Sequence, residues 1–220
     1  MDQRTVARRL RELANEADAA GVQRYFKDIG DDKFLGIRAP VLRALSREYQ
    51  AMPFAEVAKM LDSPWHEERS LALMILVRRY KKEPDAVYKL YFDKMERIDN
   101  WDLVDISARD IVGAHGDRAI LDKLAKSDSL WKRRIAIVAT QHFIRRNEFD
   151  DTLRIAKVLL RDPEDLIHKA VGWMLREVGD RDGKVLRAFL AKHASQMPRT
   201  MLRYAIEKFP EPERNTWLKA

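Results

Sequence analysis

The sequence has no cysteine, which excludes disulfides, thiolate nucleophiles and cysteine-held metals. No apolar run approaches the eighteen or more residues that would span a bilayer. The opening Met1-Asp2-Gln3-Arg4 lacks the apolar region of a signal peptide. A cytoplasmic location with no membrane partner is therefore expected. His66, His115, His142, His168 and His193 show no paired metal-ligand spacing. Glycine-rich phosphate loops and serine-nucleophile motifs are missing too. An enzymatic reading must then rest on carboxylates and electrostatics.

What is present is charge and helical periodicity. Charged residues make up 35% of the chain and hydrophobic ones 46%, with both signs interspersed, which suits solvated helix faces around a core rather than disorder. The net charge of +7 is unevenly placed: residues 1–110 are neutral overall, and residues 111–220 hold the whole excess. A one-sided basic surface attracts polyanions, nucleic acid above all; the plainer alternative is that it only aids solubility.

Nothing reads as a strand. Apolar residues recur at three and four from Val6, Leu10 and Leu13 onward. Ser63-Pro64, Asp162-Pro163, Met197-Pro198 and Arg38-Ala39-Pro40 mark helix starts. Gly21, Gly113 to Gly116 and Gly179 to Gly183 mark stops. The pattern predicts helices over 3–19, 22–28, 40–50, 53–62, 64–81, 84–96, 101–113, 117–126, 129–146, 150–160, 163–178, 182–194, 198–208 and 211–218. No linker divides them, so a single array over residues 1–220 is expected.

Aligning the second helix of each pair places Arg69, Asp105, Arg134, Lys169 and Arg203 at one position, with the spacing of one helical hairpin. The chain thus reads as all-α, an α-solenoid of HEAT-like repeats. Equivalent positions would line a concave groove with basic residues and set one carboxylate, Asp105, among them. Trp101 and Asp105, four residues apart, share a helix face. Lys169, Trp173 and Arg176 form another stripe. Exposed tryptophans in a basic groove stack on bases or hold cations. The bland alternatives are a core Trp101 and a local salt bridge from Asp105 to a neighbouring arginine.

Phe34-Leu35-Gly36-Ile37-Arg38-Ala39-Pro40, Trp101-Asp102-Leu103-Val104-Asp105, Trp131-Lys132-Arg133-Arg134 and Lys169-Ala170-Val171-Gly172-Trp173-Met174-Leu175-Arg176-Glu177 resemble the AlkD-type DNA alkylation repair proteins. These are HEAT-like-repeat glycosylases that excise cationic N3- and N7-alkylated purines from double-stranded DNA. The resemblance runs from about Arg24 to Phe209. It implies Asp105 as the catalytic carboxylate, Trp101 and Trp173 beside the lesion nucleotide with Tyr25 as an N-terminal aromatic, and Arg134 on the DNA backbone. Lys132 and Arg133, and by repeat position Lys169, Arg69 and Arg203, join it as backbone-binding candidates. No metal or organic cofactor is implied. A non-catalytic module that binds branched or distorted DNA is the competing expectation, and a protein-binding scaffold a third.

Overall fold

The computed structural model describes residues 1–23 and 32–219. Among these, helices carry the structure and no β-strand forms; an isolated parallel bridge joins Lys33 and Trp65. The chain divides into two compact units, Met1–Asp99 and Asn100–Ala220.

The first unit is built around α5 (His66–Arg79). Every residue from His66 to Leu76 is buried, because α1 (Gln3–Glu12), α3 (Ala39–Glu48), α4 (Phe54–Leu61) and α6 (Pro84–Asp93) all pack on it. A helix covered all round cannot show a clean amphipathic stripe. The predicted helix 3–19 is broken at Asn15. Its carboxamide oxygen accepts from Ala17 and Asp18 N–H, capping α2 (Glu16–Gln23) as a separate helix.

The second unit repeats a simple plan. Short α7 (Trp101–Asp105) leads to the hairpin α8 (Arg118–Ala125) and α9 (Leu130–Ala139), continued by α10 (Gln141–Ile144). Then come α11 (Asp150–Val158) with α12 (Asp165–Arg181), α13 (Gly183–His193), α14 (Arg199–Ala205) and α15 (Glu211–Trp217). Helix α9 packs on α7 and on α12, and α12 packs on α14. The α8 and α11 helices neighbour each other behind that row and cover α9 and α12. Two parallel rows of helices, one from each hairpin position, are the packing of an α-solenoid. Local signals agree with this plan: Asp117 and Asp182 cap α8 and α13 by accepting backbone N–H groups.

Neighbouring members of the row approach closely where glycine permits. A Cβ on Gly172 of α12 would stand 2.5 Å from the Met201 carbonyl oxygen and from Tyr204 Cβ of α14. One on Gly113 would stand 2.3 Å from the Ala139 carbonyl oxygen. The predicted helix 101–113 is interrupted just there. Ser107 Oγ donates to the Leu103 carbonyl at 2.6 Å, and Gly113 N–H reaches back five residues to Ala108. The segment Arg109–Gly113 is therefore a π-helical turn, a feature that concentrates at functional sites. One glycine stop is corrected: Gly21 lies inside α2, whereas α12 ends at Arg181, between Gly179 and Gly183.

Candidate active site

Asn100 opens α7 with extended backbone, and its side-chain oxygen accepts from Trp101 N–H at 2.8 Å. The cap fixes the first turn, and Leu103 and Val104 bury its inner side. Trp101 and Asp105 lie on the other side, both partly exposed.

Asp105 is held from the next helix in the row. Arg134 of α9 donates from Nε to Oδ1 at 3.0 Å and from Nη2 to Oδ2 at 2.9 Å. Its remaining nitrogen, Nη1, donates to the Leu166 carbonyl at the start of α12 at 2.6 Å. One guanidinium thus ties α7, α9 and α12 together. The geometry is the bidentate fork that gives arginine–carboxylate pairs their directionality. The arginine side chain is 6% exposed and that of Asp105 is 19% exposed. Burial pushes the Asp105 carboxyl above the ordinary aspartate range, against the charge and hydrogen bonds of Arg134. The anticipated local salt bridge is therefore real, yet the Asp105 side chain keeps some exposure, on the helix that also carries the partly exposed Trp101.

Trp173, in the middle of α12, is half-buried, and its indole N–H donates to Glu177 Oε1 at 3.1 Å. The ring is thereby pinned along its own helix. Tyr25 lies outside the described residues.

Several basic candidates need correction. Arg69 is fully buried: Nη2 donates to both oxygens of Asp32 and to Asp99, and Nη1 to the Ser63 carbonyl. Arg133 is 13% exposed, engages Asp162, and donates to the Ser127 and Asp128 carbonyls. Arg134 is internal as just described, its guanidinium shared between Asp105 and the Leu166 carbonyl. Lys132 is partly buried, Lys169 pairs with Asp165 at 2.8 Å with a third of its side chain exposed, and Arg203 is exposed.

The helix starts explain the error. Counting from the cap, Asp105, Arg134, Lys169 and Arg203 are each fifth, following Asn100, Ser129, Glu164 and Pro198. In α5, capped by Trp65, the fifth residue is Ser70, and Arg69 is fourth. The fourth position elsewhere holds Arg133 and His168. Arg69, Arg133 and His168 each bond the carbonyl six residues back, at Ser63, Ser127 and Asp162. The first repeat is therefore offset by one residue from the register that the sequence suggests. Asp162 caps the chain through Glu164 N–H, as its place before Pro163 suggests, and has a second role that the sequence did not show: it anchors Arg133.

An all-α row of helix pairs, with a tryptophan-flanked carboxylate fixed by an arginine from the adjacent helix, defines an α-solenoid with a built polar site. Residues 6–209 match the family described as DNA alkylation repair enzyme, and the chain belongs to that family. Membership supports a role in alkylation repair. Among solved structures, a predicted DNA alkylation repair enzyme from Enterococcus faecalis is similar, with 19% identity and a TM-score of 0.71 over 90% of this chain and 97% of its own. At that identity the likeness concerns the fold. No curated protein matches the chain significantly.

Proposed function

We propose that the protein is a DNA glycosylase that hydrolyses the N-glycosidic bond of cationic N3- and N7-alkylated purines in duplex DNA. The observation that carries this reading is the Asp105 carboxylate. It sits on α7 beside Trp101, partly open to solvent, and both its oxygens are oriented by Arg134.

The chemistry needs little more. As the bond breaks, its electron pair leaves with the base and positive charge grows at C1′ of the sugar. An alkylated purine that starts as a cation departs neutral, so no proton donor is required. One carboxylate then serves where ordinary glycoside hydrolysis uses two. Water adds to C1′ and releases its proton to solvent. A unit charge pair at about 4 Å in an effective dielectric near 20 is worth about 4 kcal/mol, or roughly three powers of ten in rate. Arg134 places a positive charge behind the carboxylate and offsets part of that field, so this figure is a ceiling. Its compensating effect is orientation: a clamped carboxylate needs no reorganisation as charge develops. Trp101 and Trp173 supply π-faces for the cationic base or sugar at about 0.5–2 kcal/mol each.

A non-catalytic DNA-binding module is the second reading. The same ion pair favours it, because a bidentate, mostly buried Asp105–Arg134 pair is also what a purely structural contact looks like. Incubation with N7-methylguanine DNA, with free methylated purine measured by chromatography, separates the two. Release by the native chain and its loss in Asp105→Asn, with DNA affinity kept, is expected. Equal release by that variant removes the catalytic role.

A further inference from the structure

The C-terminal ends of α12 and α14 and the start of α13 enclose a cleft of about 310 Å³. The cations Arg176, Arg187 and Lys208 line it, with one acid, Asp180. Glu207 and Glu213, the ion-pair partners of the two arginines, are not among the lining residues. The cleft therefore presents the positive ends of these pairs.

Arg187 is the most fully built of the three. Its guanidinium lies 4.6 Å from the centroid of the Phe209 ring. Glu213 accepts from Nε and Nη2 at 2.7 and 2.9 Å. That leaves the Nη1 group, with two N–H bonds. A Cβ on Gly183 would stand 2.7 Å from Nη1, so an added side chain there would make the guanidinium shift. Arg176 is held similarly, through Nη1 to Glu207, leaving Nη2 for a further acceptor. Lys208, from the segment after α14, is exposed and lines the same cleft. Exposed ion pairs of this kind contribute about 0–1 kcal/mol, so a phosphate displaces or shares their carboxylates at little cost. Planar guanidinium donors beside an ammonium suit a tetrahedral oxyanion.

We propose that this cleft binds a backbone phosphodiester of duplex DNA, as an anchoring point distinct from Asp105 and farther along α12 than Trp173. The proposal rests on the DNA-binding part of the function proposed above. Binding of a lesion-free duplex is measured by fluorescence anisotropy over a range of salt, for the native chain and for Lys208→Gln, Gly183→Ala and Arg187→Gln. Removing one phosphate interaction should lower the slope of log K against log salt by about 0.9. Gly183→Ala should act in the same direction by displacing Nη1. Single-turnover base release at saturating DNA should not change. Arg187→Gln also loses the Phe209 stack, so the other two variants carry the test if it unfolds. A parallel titration with inorganic phosphate, followed by the Gly183 amide signal, should saturate and be reversed by duplex.

Native slopes in both Lys208→Gln and Gly183→Ala overturn the proposal while leaving the function above standing. Phosphate saturation that duplex does not reverse overturns it in favour of a free-anion site. Salt-independent binding by the native chain defeats the DNA-binding reading itself.

Discussion

Replacing Asp105 with Asn keeps its shape and removes its charge, which isolates the electrostatic contribution. Base release should fall by one to three powers of ten, the upper figure being the Coulombic ceiling of about 4 kcal/mol. The pH dependence gives a second signature. Burial raises the Asp105 carboxyl above the ordinary aspartate range. Acidification should therefore abolish release at a higher pH than a solvated aspartate would predict, because the protonated acid no longer stabilises the growing positive charge. The profile of residual release by Asp105→Asn should be flat over that range; a native-like acid limb in the variant would assign the titration elsewhere. Arg134 calls for a different measurement. Arg134→Met strands a buried carboxylate, at a cost of roughly 3–5 kcal/mol in urea unfolding. The double variant Asp105→Asn, Arg134→Met should recover most of that loss, since neither charge remains. The sequence brought Asp105 and an arginine into the same repeat position. It did not say that the arginine points at the aspartate, because a one-dimensional alignment shows equivalence along a row and not the direction of a side chain between neighbouring helices.

At the scale of elements, the all-helical order and most helix positions among the described residues were legible, because caps and the three-and-four apolar spacing are local properties; the predicted 22–28 lies mostly outside those residues. What was hidden depends on distant partners. The Phe34-to-Pro40 segment appeared as a marker of resemblance and, at its end, as a helix start, yet it also has a mechanical role. The buried Glu67 carboxylate accepts from the N–H groups of Leu35, Gly36 and Ile37 at 2.9, 2.8 and 3.3 Å. Gly36 itself has φ +74°, and a Cβ there would stand 2.2 Å from the Asn15 carbonyl oxygen. Gly36→Ala should destabilise the first unit by roughly 2 kcal/mol or more in thermal or urea unfolding; an unchanged midpoint would remove the strain argument. Beside it, Asp32 accepts from Arg69 and pairs with His66. Burial pushes its carboxyl up, but the hydrogen bonds from His66 and Arg69 outweigh burial and leave it below the ordinary value of 3.8. A depressed folded pKa contributes stability that is fully present above the unfolded value and lost as pH falls through the folded one. The Asp32 contribution should accordingly be complete at neutral pH, begin to fade near the ordinary value of 3.8 and be lost as pH falls through the lower folded value, and Asp32→Asn should flatten that part of the acid-unfolding curve.

For the whole molecule, net charge proved a better guide than the number of basic residues. The chain has 42 lysines and arginines, but Arg69, Arg133 and Arg134 are largely buried and engaged as internal ties. Burial sorts side chains that composition treats alike: a guanidinium with three or four internal acceptors stabilises the stack, whereas an exposed one sets the field that a polyanion meets. Two substitutions of equal charge should therefore differ in kind. Arg203→Gln, on the exposed side of α14, should lower the salt slope of duplex binding by about 0.9, the value of one phosphate left unneutralised, with unfolding unchanged. Arg133→Gln removes the partner of Asp162, which is 4% exposed, so stability should drop by roughly 3–5 kcal/mol while the slope stays native. If Arg133→Gln changed the slope and spared stability, the internal role assigned to that arginine would be wrong, and the basic face would have to include residues that the packing hides.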